Sequence, residues 1–62
     1  MGRFVVILER TRAGQPVGTT RDIVEADTVE DAIRLAVEAW DARDPHGRYR
    51  YQELFAGPAQ GE

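Results

Sequence analysis

Cysteine is absent from the 62 residues, so no disulfide can staple this chain. One histidine, His46, is present, whereas a structural zinc site draws about four ligands from Cys and His, so a zinc-dependent fold is not expected. Lysine is missing as well: all eight basic residues are arginine. No apolar stretch approaches the roughly 18–20 residues needed to cross a bilayer. The longest opens at Phe4 and runs five residues before Glu9 and Arg10 close it, too short for the ~7–15-residue core of a signal peptide. These features place the expected protein in the cytoplasm and away from membranes.

Chemistry is equally sparse. The glycines are scattered singly, so neither a phosphate loop nor a dinucleotide fingerprint can be drawn through them. His46 lies in a Pro-His-Gly loop with no nucleophile patterned beside it, and no two carboxylates are set apart by spacing as a general acid and base. The reading is of a protein that is not an enzyme, with no cofactor and no metal.

What is present is a short chain with a strong pattern. A domain of about 60 residues buries only ~60% of the surface its unfolded form exposes, and apolar burial then barely offsets conformational entropy. Without disulfide or metal, added stability must come from efficient packing, self-association or a partner.

Residues 3–12 are β-branched and aromatic and read as a strand, with Phe4, Val6 and Leu8 on one face and Val5 and Ile7 on the other. Ala13-Gly14-Gln15-Pro16 is a turn signal. Residues 17–26 form a more polar second strand with an irregularity at Gly18, as suits a sheet edge. A helix follows. Asp27 with Glu30, or Thr28 with Asp31, supplies a capping box, and Val29, Ala32, Ile33, Ala36, Val37 and Trp40 recur at helical spacing. The helix should stop near Arg43, before Asp44-Pro45-His46-Gly47. Residues 48–56 alternate as a third strand, Tyr49, Tyr51, Glu53 and Phe55 against Arg48, Arg50, Gln52 and Leu54.

The expected fold is therefore α+β: a ββαβ unit with a three-stranded antiparallel sheet in the order 2-1-3, the apolar first strand in the centre, and one helix on one face. Residues 1–56 make a single domain and 57–62 a flexible C-terminal tail.

One helix can cover one face of such a sheet. The other, with Val5, Ile7 and tyrosines of the third strand according to register, either stands half-solvated or meets a second copy or a partner. Charge is also uneven: residues 1–21 hold four arginines and one glutamate, residues 22–44 eight acids and two arginines, within a net charge of −3. The acids Asp27, Glu30, Asp31, Glu38 and Asp41 read either as ordinary helix solvation or as a line of carboxylates that imitates nucleic-acid phosphates and occupies a basic groove. Arg48-Tyr49-Arg50-Tyr51 interleaves cations with rings, as single-strand binders do. Strand alternation, tyrosines inward and arginines outward, explains it equally well, and an acidic chain repels a polyanion.

The run Val24-Glu25-Ala26-Asp27-Thr28-Val29-Glu30-Asp31-Ala32-Ile33-Arg34-Leu35-Ala36 resembles a strand-to-helix junction found in small bacterial and phage domains. It is similar to the HicB-like antitoxin domain, where Asp-Thr-x-Glu-Glu-Ala-hydrophobic opens the helix, and to the DpnD/PcfM-like domain. The likeness covers 13 of 62 residues. The aromatic and Pro-Gly-Cys-rich stretch of the HicB pattern is missing, and no DNA-binding helix-turn-helix follows. In type rather than motif, the chain resembles the small inhibitors of phages and mobile elements, the anti-CRISPR proteins among them. That resemblance implies an acidic inhibitor or adaptor whose partner is a protein, such as a basic nucleic-acid-binding complex. The expected contacts are the acidic helix face (Asp27, Glu30, Asp31, Glu38, Asp41) or the sheet face (Val5, Ile7, Arg48, Arg50), with a homodimer in view. The alternative is a nucleic-acid-binding or HicB-like antitoxin-type regulator that uses the Arg/Tyr strand.

Overall fold

In the computed structural model, which describes residues 1–59, the chain runs β1 (Gly2–Arg12), β2 (Gln15–Ala26), α1 (Val29–Ala42) and β3 (Arg50–Pro58). The sheet is antiparallel in the order β2-β1-β3, the α+β arrangement the apolar first strand called for. Two adjustments sit at element ends. The hairpin turn is the pair Ala13-Gly14 alone, both at positive φ, as a two-residue turn matched to strand twist demands. Gln15 and Pro16 therefore already pair with β1, opposite Arg12 and Thr11. Val17 is the extra residue at the register shift beside Gly18, the irregularity expected there, and Pro16 is tolerated because β2 is an edge.

At the other end β3 begins two residues later than the alternation suggested and continues through Gly57 and Pro58, segments assigned above to the tail. Ala59 donates its N–H to the Arg3 carbonyl at 2.9 Å, which ties the chain down beyond the strand. The expected looseness of 60–62 lies outside the described residues.

α1 is capped by Thr28, whose hydroxyl accepts the Asp31 N–H at 3.1 Å. Of the two capping registers, the later is the one used; Asp27 stands outside the helix, 4.0 Å from the N-terminal ammonium. The helix lays Ala32 and Ala36 on the sheet, and these small side chains let it approach closely enough to enclose Val6 and Leu8, both fully buried. Ala26 completes the buried cluster. Phe4, Val24, Ile33, Val37, Trp40, Tyr51 and Ala56 pack around its margin, half-buried. Trp40 ties the layers together: its indole N–H donates to Asp22 on β2 at 2.7 Å, while its ring stacks on Tyr51 of β3 at 5.9 Å between centroids.

One buried group fits this core poorly. Thr20, opposite Leu8 under the helix, is 9% exposed, and its hydroxyl finds no hydrogen-bond partner among the described residues. Such a group costs about 1–3 kcal/mol. Thr20→Val, nearly the same in shape, is expected to stabilise the chain by about 1 kcal/mol and to raise the melting temperature by roughly 4–8 °C. A lower melting temperature in a thermal scan would show that the hydroxyl is satisfied.

Candidate interaction surfaces

Residues directly opposite in an antiparallel ladder share a face, so the register assigns each side chain. Phe4, Val6 and Leu8, with Val24, Asp22 and Thr20 across from them, lie beneath α1. The opposite face carries Arg3, Val5, Ile7 and Glu9 of β1, with Glu25, Ile23, Arg21 and Thr19 beside them on β2. No element of the described chain covers that face.

β3 brings a change of face that alternation alone does not reveal. Ile7 lies opposite Phe55 but Leu8 opposite Glu53, which leaves Leu54 as the extra residue of a β-bulge. The bulge inverts the pattern along the strand. Tyr51, opposite Arg10, faces the helix and Trp40, whereas Phe55 turns to the open face beside Ile7. The apolar group that joins Val5 and Ile7 is therefore Phe55, not the tyrosines, and Ile23 enters from β2 opposite Val5. Phe55 is 52% exposed. Its ring folds over Gly57, where a Cβ would come to 3.2 Å of it; the bare glycine gives the aromatic its seat. Val5, Ile7, Ile23 and Phe55 form a continuous apolar centre, with Arg3, Glu25, Arg21, Glu9, Gln52 and Arg50 around it. Arg50 stands on this face, opposite Thr11. Arg48 precedes β3 and is exposed in the connecting segment.

The Arg/Tyr segment behaves as strand alternation at its C-terminal half, with Tyr51 inward and Arg50 outward. Both tyrosine rings already have companions: Tyr51 has Trp40, and Tyr49 lies under the Arg10 guanidinium at 4.9 Å. The rings on which bases would stack are thus engaged. The loop that delivers them is held by Asp44, whose carboxylate accepts the Tyr49 N–H at 2.7 Å; this bond keeps the Asp44 carboxyl below the ordinary aspartate range.

The acidic residues of α1 are on the far side of the sheet from the apolar face. Glu30, Glu38 and Asp41 are exposed and Asp31 half-exposed along α1, with Asp27 just before it. Arg34 sits among them, 3.4 Å from Asp31 and 3.5 Å from Glu38. Two of the carboxylates therefore share an internal counter-charge, as exposed helical i,i+3 and i,i+4 pairs commonly do, and the row is less acidic as a surface than as a sequence. Nowhere among the described residues do three His, Cys, Asp or Glu side chains converge as metal ligands would, and no cavity opens there. No helix among the described residues is long and apolar enough to cross a membrane.

Comparison with protein-family models, with curated proteins and with solved structures finds nothing that matches this chain.

Proposed function

We propose that this chain is a non-catalytic protein-binding module, an inhibitor or adaptor in kind, and that its contact surface is the open face of the sheet. The observation that carries the reading is the apolar centre of Val5, Ile7, Ile23 and Phe55 on the side away from the helix. A three-stranded sheet with a polar second face would need none of these side chains for its own core, because Val6, Leu8 and the two helical alanines already make that core. An aromatic seated on a glycine, within a rim of both charge signs, is the anatomy of an interface centre.

The acidic helix face is the second surface of such a module. With Arg34 bridging Asp31 and Glu38, it contributes steering and selectivity more than affinity.

The two surfaces separate in one experiment. Tagged chain is incubated with lysate of the source cells, and bound protein is quantified by mass spectrometry. Ile7→Lys, which places a charge at the centre of the open face, is expected to cost about 2 kcal/mol or more, a roughly 30-fold loss of the captured protein. Glu38→Lys on the helix is expected to retain it and to change chiefly its salt dependence. Capture that survives Ile7→Lys but disappears with Glu38→Lys would move the contact to the acidic face and refute the reading.

A further inference from the structure

We infer that the occupant of the open sheet face is a second copy of this chain, packed face to face about a two-fold axis that crosses β1 between Val5 and Ile7. The inference rests on the reading of that face as a protein contact and goes on to name the partner.

Its basis is the order of residues along the exposed column of the central strand: Arg3, Val5, Ile7, Glu9. A two-fold interface requires a surface complementary to itself. Turning the column end over end about the point between Val5 and Ile7 sets Arg3 against Glu9 of the other copy, and Val5 against its Ile7. One column thus supplies an apolar contact and an ion pair, each made twice. Its two charged ends differ. Arg3 lies opposite Glu25 in the ladder. Glu9 lies between Thr19 and Gln52, is half-buried, and makes no ion pair with the described residues. The rotation brings Arg3 of the other copy to this carboxylate, which stands on its own face between the levels of Arg21 and Arg50.

The third strand agrees with the same axis. Phe55 is level with Ile7 and Gly57 with Val5, so the rotation carries each Phe55 onto the Gly57 region of the other copy. That is the patch its own Phe55 ring overlies, and the two rings meet there. Sheets that pack in this way keep their strands within about 30° of one another, which the rotation satisfies because it leaves the strands antiparallel.

The available area is at the low end for a specific contact. Three strands about 4.8 Å apart, along a molecule whose longest dimension is 34 Å, offer roughly 400–500 Å² from each copy. The pair then approaches the ~1,000 Å² that a specific interface needs. Association adds stability to a chain whose buried core is Val6, Leu8 and three alanines.

The test is sedimentation velocity on the purified full-length chain with charge-reversed variants, each checked by circular dichroism for native fold. The wild type is expected to sediment as a dimer. Arg3→Glu and Glu9→Arg each set like charges against each other across the axis, and each alone should raise the dimer dissociation constant at least about tenfold. Mixed together, the two variants restore both pairs at once and should form a heterodimer tighter than either homodimer. The double variant R3E/E9R should dimerise with itself. A wild type that remains monomeric at high concentration overturns the inference, as does a dimer that neither reversal weakens. In the monomeric case, lysate capture that still depends on Ile7 leaves the open face as a contact for a different protein, whereas capture indifferent to Ile7 removes the reading of the face as well.

Discussion

Replacing Leu8 by alanine is expected to remove about half of the chain's folding stability. Leu8 and Val6 are the largest side chains enclosed without exposure, and the rest of the buried cluster is alanine. Removing a buried leucine side chain costs about 2–5 kcal/mol, and at ~0.05–0.15 kcal/mol per residue the whole chain has only about 3–9 kcal/mol of stability to lose. Small cores have no reserve to close the cavity, since Ala32 and Ala36 present no side chain long enough to move into it. In chain kept dilute enough to be monomeric, Ile7→Ala, one residue away but on the open face, should cost distinctly less, because Ile7 is only half-buried. Thermal melts followed by far-UV circular dichroism check the pair. Leu8→Ala should lose at least about 10 °C or fail to show a transition, and equal losses at the two positions would contradict the assignment of faces.

The second large effect belongs to Trp40. It joins β2 through the bond to Asp22, joins β3 through the stack on Tyr51, and carries the Arg43 guanidinium 4.6 Å above its ring. Trp40→Ala removes all three and leaves the C-terminal half of α1 with Val37 as its last apolar hold on the sheet. The expected cost is about 3 kcal/mol, the low end for a large aromatic because the ring is half-exposed. Trp40→Phe keeps an aromatic against Tyr51 and loses the hydrogen bond to the carboxylate, for about 1.5 kcal/mol, the low end for a bond to a charged group. Urea titration followed by circular dichroism orders the two variants. If Trp40→Phe proved as damaging as Trp40→Ala, the bond to Asp22 and not the ring stack would be what seats the helix.

Much of this arrangement is written in local patterns. The β-branched run from Phe4 to Leu8 marks the central strand because it is apolar on both faces, and the helix is spelled by its 3.6-residue stripe and its cap. Strand order follows from those two facts and the hairpin. What the pattern conceals is the bulge at Glu53 and Leu54. Period-two alternation puts Tyr51 and Phe55 on the same face, and a single inserted residue reverses the second of them without changing the composition. The trace it leaves is the adjacent pair Leu54-Phe55, two large apolar residues where alternation allows one. Ile23 was hidden for a related reason: it reads as the apolar end of a polar edge strand, and only the register places it opposite Val5. The acidic row was legible as composition, but the bridging by Arg34 depends on helical geometry that brings Asp31 and Glu38 to one side chain.

The open face thus combines residues from three strands, of which the first was apparent in sequence and the others required pairing. The most direct test of its role is an isotope-filtered nuclear Overhauser experiment on an equal mixture of ¹³C-labelled and unlabelled chain. The account predicts intermolecular cross-peaks from the methyls of Val5 and Ile7 to one another and from the Phe55 ring of one copy to that of the other, and none from Ala32, Ala36 or Leu35. Cross-peaks that arise from the helix face instead, or methyls of Val5 and Ile7 that stay open to a dissolved paramagnetic probe at every concentration, would contradict it.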